Sequence, residues 1–299
     1  MSQSKVQSIS KSEFTGSLLS DYLMLIKMRL TSLVVFTAVA SFLIASNLEF
    51  TGMQILLLAL GGFGVAGASN ALNQALEKDY DVMMKRTENR PVAAGRMTMS
   101  HAVMFAGFLC LFGITVLALF NVLTAFLGML AFVTYSFVYT PLKRYSSAAV
   151  FVGAIAGAMP MVIGVVAFTG SITWLAIALF MIQFAWQYPH FWAIGYMGFD
   201  DYKKAGFNFV PNTEGQINIS IARSSVGYSL LLILIGALMI YFGLTGWAAG
   251  ICLIILGGIY TNFALKFYKE FSMNSAKKLM FSSLIYIPVV LLILIIDKI

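Results

Sequence analysis

The residues with the clearest capacity for chemistry follow an apolar stretch and read NQALEKDYDVMMKRTENRP, residues 73–91. Asn73, Glu77 and Asp81 recur every four residues, and on a helix each such step turns the direction by only about 40°, so the three side chains share one face. Amide and carboxylate oxygens on one stripe suit Mg²⁺, which takes a few protein oxygens and completes its shell with water and substrate phosphates. The spacing therefore predicts a magnesium site.

Basic residues follow this stripe directly. Lys85, Arg86 and Arg90 come before Pro91, which ends the helix. Their cationic groups suit phosphate oxygens. The same pattern is also typical of a solvated helix end with alternating charges. We favour a functional site because only 12 residues of the chain are acidic and three of them fall within residues 77–81; a charge cluster at a membrane boundary is by default a candidate site.

Composition indicates which elements must position these residues. Hydrophobic residues make up 60% of the 299 and charged residues 10%, and the mean hydropathy is +0.88, far from the balance of a soluble domain. Long apolar runs between short polar loops predict an all-α integral membrane protein in contact with lipid. The net charge of +7 is therefore interpreted as topological, with no nucleic-acid partner. Cys110 and Cys252 lie inside apolar runs and are interpreted as small hydrophobic residues.

Nine apolar spans are predicted, with a short tail before them. Residues 1–21 are expected to form a cytoplasmic tail and residues 22–299 a single transmembrane domain. The second and sixth spans each lead into a polar segment on the same side of the membrane, which suggests two four-helix halves plus a ninth helix around a central cavity. The spans are 24–46, 53–77, 99–120, 122–141, 148–168, 172–196, 224–243, 246–267 and 277–296.

The distribution of basic residues predicts the orientation. With nine spans, every Lys and Arg except Lys298 falls on the side of the N terminus. The positive-inside rule then places the N terminus and all the polar loops in the cytoplasm. The candidate magnesium site is thus expected at the cytoplasmic face of the membrane.

A second polar station lies near the end of the sixth span. Trp186, Gln187 and His190 interrupt an otherwise apolar run, and Asp200 and Asp201 follow shortly after. An interfacial aromatic belt would explain the aromatic residues without any chemistry. The functional interpretation is that Gln187 and His190 face a cavity shared with the first polar station, the stripe of Asn73, Glu77 and Asp81. One of the two aspartates would then bind a second Mg²⁺. Further candidates are the basic segments 27–29, which begins with Lys27, and 139–144, which ends with Lys143 and Arg144.

These motifs together resemble the UbiA-type intramembrane prenyltransferases, a nine-helix family. The resemblance rests on Asn-x3-Glu-x3-Asp with its KRTENRP continuation, and it extends over residues 22–296. More narrowly, LKR at 142–144, WQYPHFWAI at 186–194 and DDYKKAG at 200–206 are similar to the branch of the family that farnesylates haem. The second aspartate motif departs from the wider family, in which the two aspartates are three residues apart, so the ligands of a second metal stay open.

The resemblance implies transfer of a farnesyl group from farnesyl diphosphate to a vinyl group of haem B, giving haem O, in a bacterial-type cell membrane with Mg²⁺ as cofactor. Haem A synthase is a further partner that it suggests. The place of His190 at the cavity mouth suggests contact with haem, as an axial ligand or through a propionate hydrogen bond, more than a role as general base for the water step. Trp186 and Gln187 are candidate neighbours of haem, and Asp200 and Asp201 stay candidate ligands of the second metal. The catalytic residues that the resemblance implies are Asn73, Glu77, Asp81, Arg86, Arg90, Lys143 and Arg144.

Two other functions fit the sequence less well. A prenyltransferase of the same fold that acts on an aromatic or quinone-precursor acceptor would share most of these motifs. A polytopic transporter would also combine many helices with intramembrane polar residues. Transport, however, favours ionisable groups near the bilayer midplane, whereas here the polar stations lie on one side.

Overall fold

A computed structural model describes residues 17–47 and 49–297 of the chain. Nearly all of this part is helical. The helices are α1 (Leu18–Leu25), α2 (Met28–Ser46), α3 (Gly52–Leu76), α4 (Lys78–Asp81), α5 (Met99–Ala118), α6 (Val122–Val133), α7 (Thr140–Leu142), α8 (Ala148–Thr169), α9 (Trp174–Met197), α10 (Phe199–Lys204), α11 (Ser220–Tyr241), α12 (Trp247–Glu270) and α13 (Met273–Ile296). A π-helical turn, Thr134–Tyr139, joins α6 to α7, and two strands of two residues each, β1 (Asn212–Thr213) and β2 (Gln216–Ile217), form an antiparallel pair.

Within the described residues, eight helical segments are long and apolar enough to cross a membrane, one of them being α6 continued through the π-helical turn to Leu142. Helix α9, which the sequence also predicts as a span, has 24 residues and packs among the eight. It falls outside the eight because Gln183 and the polar run at 186–190 make it less apolar. The all-α membrane architecture is therefore confirmed. Helix α9 differs from the other long helices in its larger share of polar side chains.

The helices pack as two groups of four with α13 against both. Helices α2, α3, α5 and α6 form the first group, and α8, α9, α11 and α12 form the second. Helix α8 packs on both α2 and α9, and it is the most buried of the candidate spans. Helix α13 contacts α2, α9 and α12. The two predicted halves follow each other along the chain, and the packing of α2 and α6 on α8 joins them into one bundle around the cavity.

Glycines bring α3 and α5 into close contact. A Cβ added to Gly64 would lie 2.6 Å from the Cα of Gly113, and one added to Gly61 would lie 2.8 Å from the side chain of Leu117. Backbones of membrane helices approach closely only where such small residues face one another. The contact fixes α3, the helix that ends at the first polar station, against its neighbour.

The predicted tail, residues 1–21, lies mostly outside the described residues. Its last residues belong to α1, where Asp21 is buried and pairs with Arg96 at 2.9 Å. The Tyr22 hydroxyl also lies 2.6 Å from Nε2 of His101 on α5. Helix α1 is thus held against the bundle, and it leads directly to Lys27 at the start of α2.

Candidate active site

A cavity of about 450 Å³ lies among α2, α3, the π-helical turn, α8, α9 and α13. Charged side chains line one end, where α3 ends and α2 begins. The remainder is lined chiefly by apolar side chains such as Val34, Val65, Ile163 and Ile287. A space of this kind, mostly apolar with a few convergent polar groups, is the usual form of a ligand site.

The three residues of the first stripe all line the charged end of the cavity. Asn73 lies in the last turn of α3, Glu77 at the junction with α4, and Asp81 at the end of α4. Backbone hydrogen bonds from the amide of Glu77 to the carbonyl of Asn73 (3.0 Å) and from Asp81 to Glu77 (2.8 Å) preserve the four-residue spacing across that junction. All three residues are at least 97% buried.

A basic residue contacts each member of the stripe. The Lys27 ammonium donates to Asn73 Oδ1 at 2.9 Å, and Lys143 forms an ion pair with Glu77. Arg90 pairs with Asp81 at 2.7 Å. Lys27 reaches the cavity because its backbone is left-handed (φ 49°), an uncommon conformation for a non-glycine residue, at the break between α1 and α2.

The Arg90 guanidinium donates two hydrogen bonds to Asp81. Both come from Nη1, which lies 2.8 Å from Oδ1 and 2.7 Å from Oδ2. The Thr87 hydroxyl donates to the backbone carbonyl of Asp81 at 2.9 Å and fixes the turn that carries Arg90. Charge-assisted bonds of this kind are short and strong. The segment after α4 thus folds back over the carboxylates that precede it.

Burial and mutual charge shift the titration of this cluster. Burial, reinforced by Arg90, lowers the pKa of Lys27 well below its ordinary value. Burial by itself would raise the pKa of Glu77, but Lys143 overcomes that effect and the pKa is lowered. Burial raises the pKa of Asp81, although Arg90 opposes the shift. The lowered pKa keeps the Glu77 carboxylate ionised beside Lys143, whereas burial makes the charge of Lys27 costly, so further negative charge from a ligand would stabilise the cluster.

The donor set fits Mg²⁺. Among the described residues no group of three or more His, Cys, Asp or Glu side chains could hold a metal by itself. Two carboxylates and one amide oxygen do converge at the charged end, from Glu77, Asp81 and Asn73. Mg²⁺ is commonly bound by one or two carboxylates together with substrate phosphates, so these residues suit the ion when a phosphate accompanies it.

Arg86 and Arg144 differ from the residues above. Arg86 lines the cavity mouth, where its guanidinium donates to the Tyr202 hydroxyl at 3.2 Å. Arg144, predicted with Lys143 as a phosphate contact, is not among the cavity-lining residues: it donates to the Leu76 carbonyl at 2.8 Å and lies 4.1 Å from the Tyr80 ring centre. Neighbouring residues in this turn point in different directions, so Arg144 caps the end of α3.

The second station forms the opposite wall, on α9. Trp186, Gln187 and His190 all line the cavity, as predicted for Gln187 and His190. The rings of Trp186 and His190 stack with centroids 5.1 Å apart and planes 17° apart. Trp186 Nε1 donates to the Ser283 carbonyl on α13 at 2.8 Å, and His190 Nδ1 lies 2.7 Å from Ser283 Oγ.

Gln187 completes this wall next to α8. Its Nε2 donates to the carbonyls of Gln183 (3.1 Å) and Ala154 (3.3 Å). A Cβ on Gly157 would collide with Gln187 Oε1, so this glycine leaves room for the amide. Gln187 is thereby locked at the cavity surface.

The structure does not bring Asp200 and Asp201 to the cavity. Both lie in α10, beyond the end of α9, and Asp200 is exposed. Asp201 lines a separate pocket of about 220 Å³, which shares Arg86 and Tyr202 with the mouth of the cavity. The physical reason is that α10 begins a new direction at Gly198, so the two carboxylates are carried past the stripe on α3.

The cavity also opens sideways. Leu30 and Leu33 on α2 and Leu284 on α13 line it, yet they are 46, 53 and 43% exposed on the outer surface. An apolar opening between α2 and α13 therefore connects the cavity with the surroundings of the bundle. An apolar substrate can enter through this opening without passing through the aqueous phase.

Sequence reasoning missed several residues that line the cavity or support its walls. Tyr135 lies on the π-helical turn and lines the cavity with Asn70 and Gln183. Ser283, which contacts both rings of the α9 wall, lies 93 residues from His190. A π-helical turn often marks a functional site, but its position depends on tertiary packing. Only Gln183, a lone amide in an apolar run, carried a signal that could have been read.

Comparison with known proteins assigns the family. The model of the UbiA prenyltransferase family matches residues 33–285, which is most of the chain. The chain belongs to the UbiA prenyltransferase family. Relatives within the UbiA family include proteins named protoheme IX farnesyltransferase from Christiangramia forsetii, 41% identical over 95% of each chain, and from Flavobacterium psychrophilum, 41% identical over 94% of this chain and 95% of the relative.

Solved structures share the UbiA fold. A structure described as a digeranylgeranylglyceryl phosphate synthase matches with a TM-score of 0.79 at 18% identity, covering 94% of this chain and 98% of its own. A UbiA homolog from Archaeoglobus fulgidus bound to GPP and Mg²⁺ matches with a TM-score of 0.65 at 14% identity, covering 90% and 100%. These structures agree with the multi-pass membrane fold, and the family model with the named relatives establishes the transferase class.

Proposed function

We propose that this UbiA family member transfers the farnesyl group of farnesyl diphosphate to a vinyl carbon of haem B and produces haem O. The observation that carries the proposal is a single cavity with two unlike walls, a cluster of oxygens and cations on α3 and α4 and a histidine-bearing aromatic wall on α9, with apolar space between them. Relatives that are 41% identical over nearly the whole chain carry the name protoheme IX farnesyltransferase.

The charged end is proposed to bind the diphosphate. Asn73, Glu77 and Asp81 would hold Mg²⁺, and a homolog of the same fold is described as bound to GPP and Mg²⁺. When bound, the ion supplies positive charge to the leaving diphosphate. Asp200 and Asp201 lie outside the cavity, so no second ion is assigned to them.

The cations of the cluster are proposed to change partners. Lys143 forms an ion pair with Glu77, and Arg90 forms one with Asp81. With Glu77 and Asp81 holding the metal, Lys143 and Arg90 would be free to contact the phosphate oxygens, together with Lys27 and with Arg86 from the cavity mouth. Positive groups preorganised around the leaving oxygen stabilise the charge that develops there.

The apolar lining protects the reaction. As the allylic carbon–oxygen bond breaks, its electron pair leaves with the diphosphate, and the vinyl π electrons form the new carbon–carbon bond. Water then adds to the carbocation left on the porphyrin side and releases a proton, which gives the hydroxyl of haem O. Apolar side chains such as Val34, Val65 and Ile163 would surround the farnesyl chain and limit premature capture of the allylic cation by water.

Trp186, Gln187 and His190 are proposed to contact haem B. They form the wall that faces the charged end, and the sideways opening between α2 and α13 gives both apolar substrates a path from the membrane. The positive-inside rule favours a cytoplasmic N terminus and active site. A cysteine-accessibility map of single Cys substitutions in loops 82–98 and 244–246 would test that orientation.

The acceptor is tested directly by a screen. Purified protein receives labelled farnesyl diphosphate and Mg²⁺ with haem B, metal-free protoporphyrin or an aromatic or quinone-precursor acceptor. Label is expected in haem B, and label only in an aromatic or quinone-precursor acceptor would replace the proposal with another prenyl transfer. Haem A synthase is the proposed consumer of the product, and copurification of the two proteins would test that partnership.

A further inference from the structure

The hydrogen bond between His190 and Ser283 bears on which nitrogen of the imidazole carries the proton. His190 Nδ1 lies 2.7 Å from Oγ of Ser283, which is completely buried on α13. Either atom of such a pair can be the donor, depending on the tautomer of the imidazole. Which atom carries the proton decides what His190 offers to the cavity.

The surroundings of Ser283 settle the direction of that bond. A serine has one hydroxyl proton, and Oγ lies 2.5 Å from the carbonyl oxygen of Met280, which can only accept. The proton therefore lies toward Met280, and Oγ accepts from His190. The nearby Tyr260 hydroxyl donates its proton to the Trp186 carbonyl at 3.3 Å, so it does not compete with His190 as a donor to Ser283.

The imidazole of His190 thus has its proton on Nδ1 and its lone pair on Nε2. Nε2 has no hydrogen-bond partner anywhere in residues 17–47 and 49–297, and the side chain lines the cavity. The ring cannot turn freely, because it stacks on Trp186, whose Nε1 is itself bonded to the Ser283 carbonyl at 2.8 Å. Ser283 therefore holds both rings of this wall.

We propose that Ser283 is a positioning residue that keeps His190 in the Nδ1–H tautomer, so that Nε2 binds the iron of haem B as an axial ligand. The inference rests on the proposed function and makes the histidine's role specific. A metal-binding histidine characteristically donates its other N–H to a fixed acceptor, which orients the ring and raises its basicity. A haem propionate would instead need a donor at Nε2, which this tautomer does not provide.

The test uses the full-length protein loaded with haem B in the absence of farnesyl diphosphate. Ser283→Ala removes the acceptor, Ser283→Thr keeps the hydroxyl, and Ser229→Ala is a matched control. Ser229 is equally buried on α11 and donates to the carbonyl three residues earlier, that of Val226, at 2.9 Å, but it is not bonded to His190 or Trp186. Haem affinity and the optical and electron paramagnetic resonance spectra are the measurements.

Ser283→Ala is expected to weaken haem binding about 10-fold and to alter the spectrum of the histidine-ligated iron, as loss of an outer hydrogen bond to a metal ligand typically does. Ser283→Thr and Ser229→Ala should match the wild type. His190→Ala should lose the histidine signature and regain it with added imidazole. Metal-free protoporphyrin should bind wild type and Ser283→Ala equally.

The inference fails if His190→Ala or Ser283→Ala leaves the iron spectrum and the haem affinity unchanged while the wild type makes haem O. A loss in Ser229→Ala as large as that in Ser283→Ala would also overturn it, since any buried hydroxyl would then suffice. Failure of the proposed function looks different: the wild type would then prenylate another acceptor and leave haem B unreacted.

Discussion

The two walls of the cavity differ in charge and in how firmly their side chains are held. The charged wall on α3 and α4 contains carboxylates and cations that neutralise one another, as in the Arg90–Asp81 pair at 2.7 Å. The wall on α9 contains neutral groups whose hydrogen bonds are already arranged, as in the contacts of Trp186 and His190 with Ser283. The first wall can exchange partners when a charged ligand arrives, whereas the second presents a fixed surface.

This contrast indicates how one cavity can accept two unlike substrates. Separating buried ion pairs is costly by itself. A diphosphate carries several negative charges that can replace the carboxylates as partners of the cations, and this offsets the cost. A porphyrin is flat and largely apolar, so it gains most from a preformed aromatic surface with one well-placed polar atom. The following experiments separate the two walls.

Removing a carboxylate from the charged wall should have the largest effect. Glu77→Gln or Asp81→Asn is expected to lower turnover by about 10³-fold, the scale for loss of one preorganised electrostatic contact, while haem affinity stays the same. Turnover with farnesyl diphosphate at saturating Mg²⁺ and haem titration are the measurements. Near-normal turnover of both variants would remove the charged wall from the chemistry.

Arg90 and Arg86 allow a matched test of the same wall. Arg90→Gln leaves the buried Asp81 unpaired and should cost about 3 kcal/mol of unfolding free energy as well as activity. Arg86→Gln removes an exposed side chain whose partner is the Tyr202 hydroxyl, so it should weaken diphosphate binding with little change in stability. Thermal unfolding in detergent and KM for farnesyl diphosphate measure the two effects, and equal destabilisation by both would contradict the distinction.

Helix packing behind the charged wall should matter less. Gly64→Ala places a Cβ 2.6 Å from the backbone of Gly113, and the forced separation of α3 and α5 should cost about 1–3 kcal/mol. Gly107→Ala on α5 meets nothing within 4 Å and should be neutral. Thermal unfolding of the two variants makes the comparison, which fails if Gly107→Ala is the more harmful.

Trp186→Phe is the mildest change to the aromatic wall. It keeps a ring beside His190 but loses the bond from Nε1 to the Ser283 carbonyl, worth about 1 kcal/mol. We expect a few-fold weaker haem binding and unchanged KM for farnesyl diphosphate, measured by titration and steady-state kinetics. A larger effect on the diphosphate than on haem would mean that the walls are not separate.

The two walls also differ in how far sequence could predict them. Asn73, Glu77 and Asp81 were predictable because a periodic stripe within one helix needs no tertiary information. The packing that unites them with Lys27 and Lys143 brings together distant segments, and only the basic character of those segments was visible. Arg144 shows the limit, since adjacent residues of one turn face different surroundings.

The neutral wall was predictable only in part. His190 and Gln187 stood out as polar residues in an apolar run, but a serine such as Ser283 is unremarkable in a membrane helix, where its hydroxyl can bond to its own backbone. The position of Asp200 and Asp201 depended on the direction that the chain takes at Gly198. Overall architecture, by contrast, followed from hydrophobic runs and loop charges, because a membrane allows few alternatives.

The most direct test of the account is the mass of the porphyrin formed when purified protein is incubated with haem B, farnesyl diphosphate and Mg²⁺. The account predicts a product heavier than haem B by one farnesyl group and one hydroxyl group, formed together with released diphosphate and lost when the metal is chelated. Unmodified haem B, with diphosphate released only in the presence of another acceptor, would contradict it.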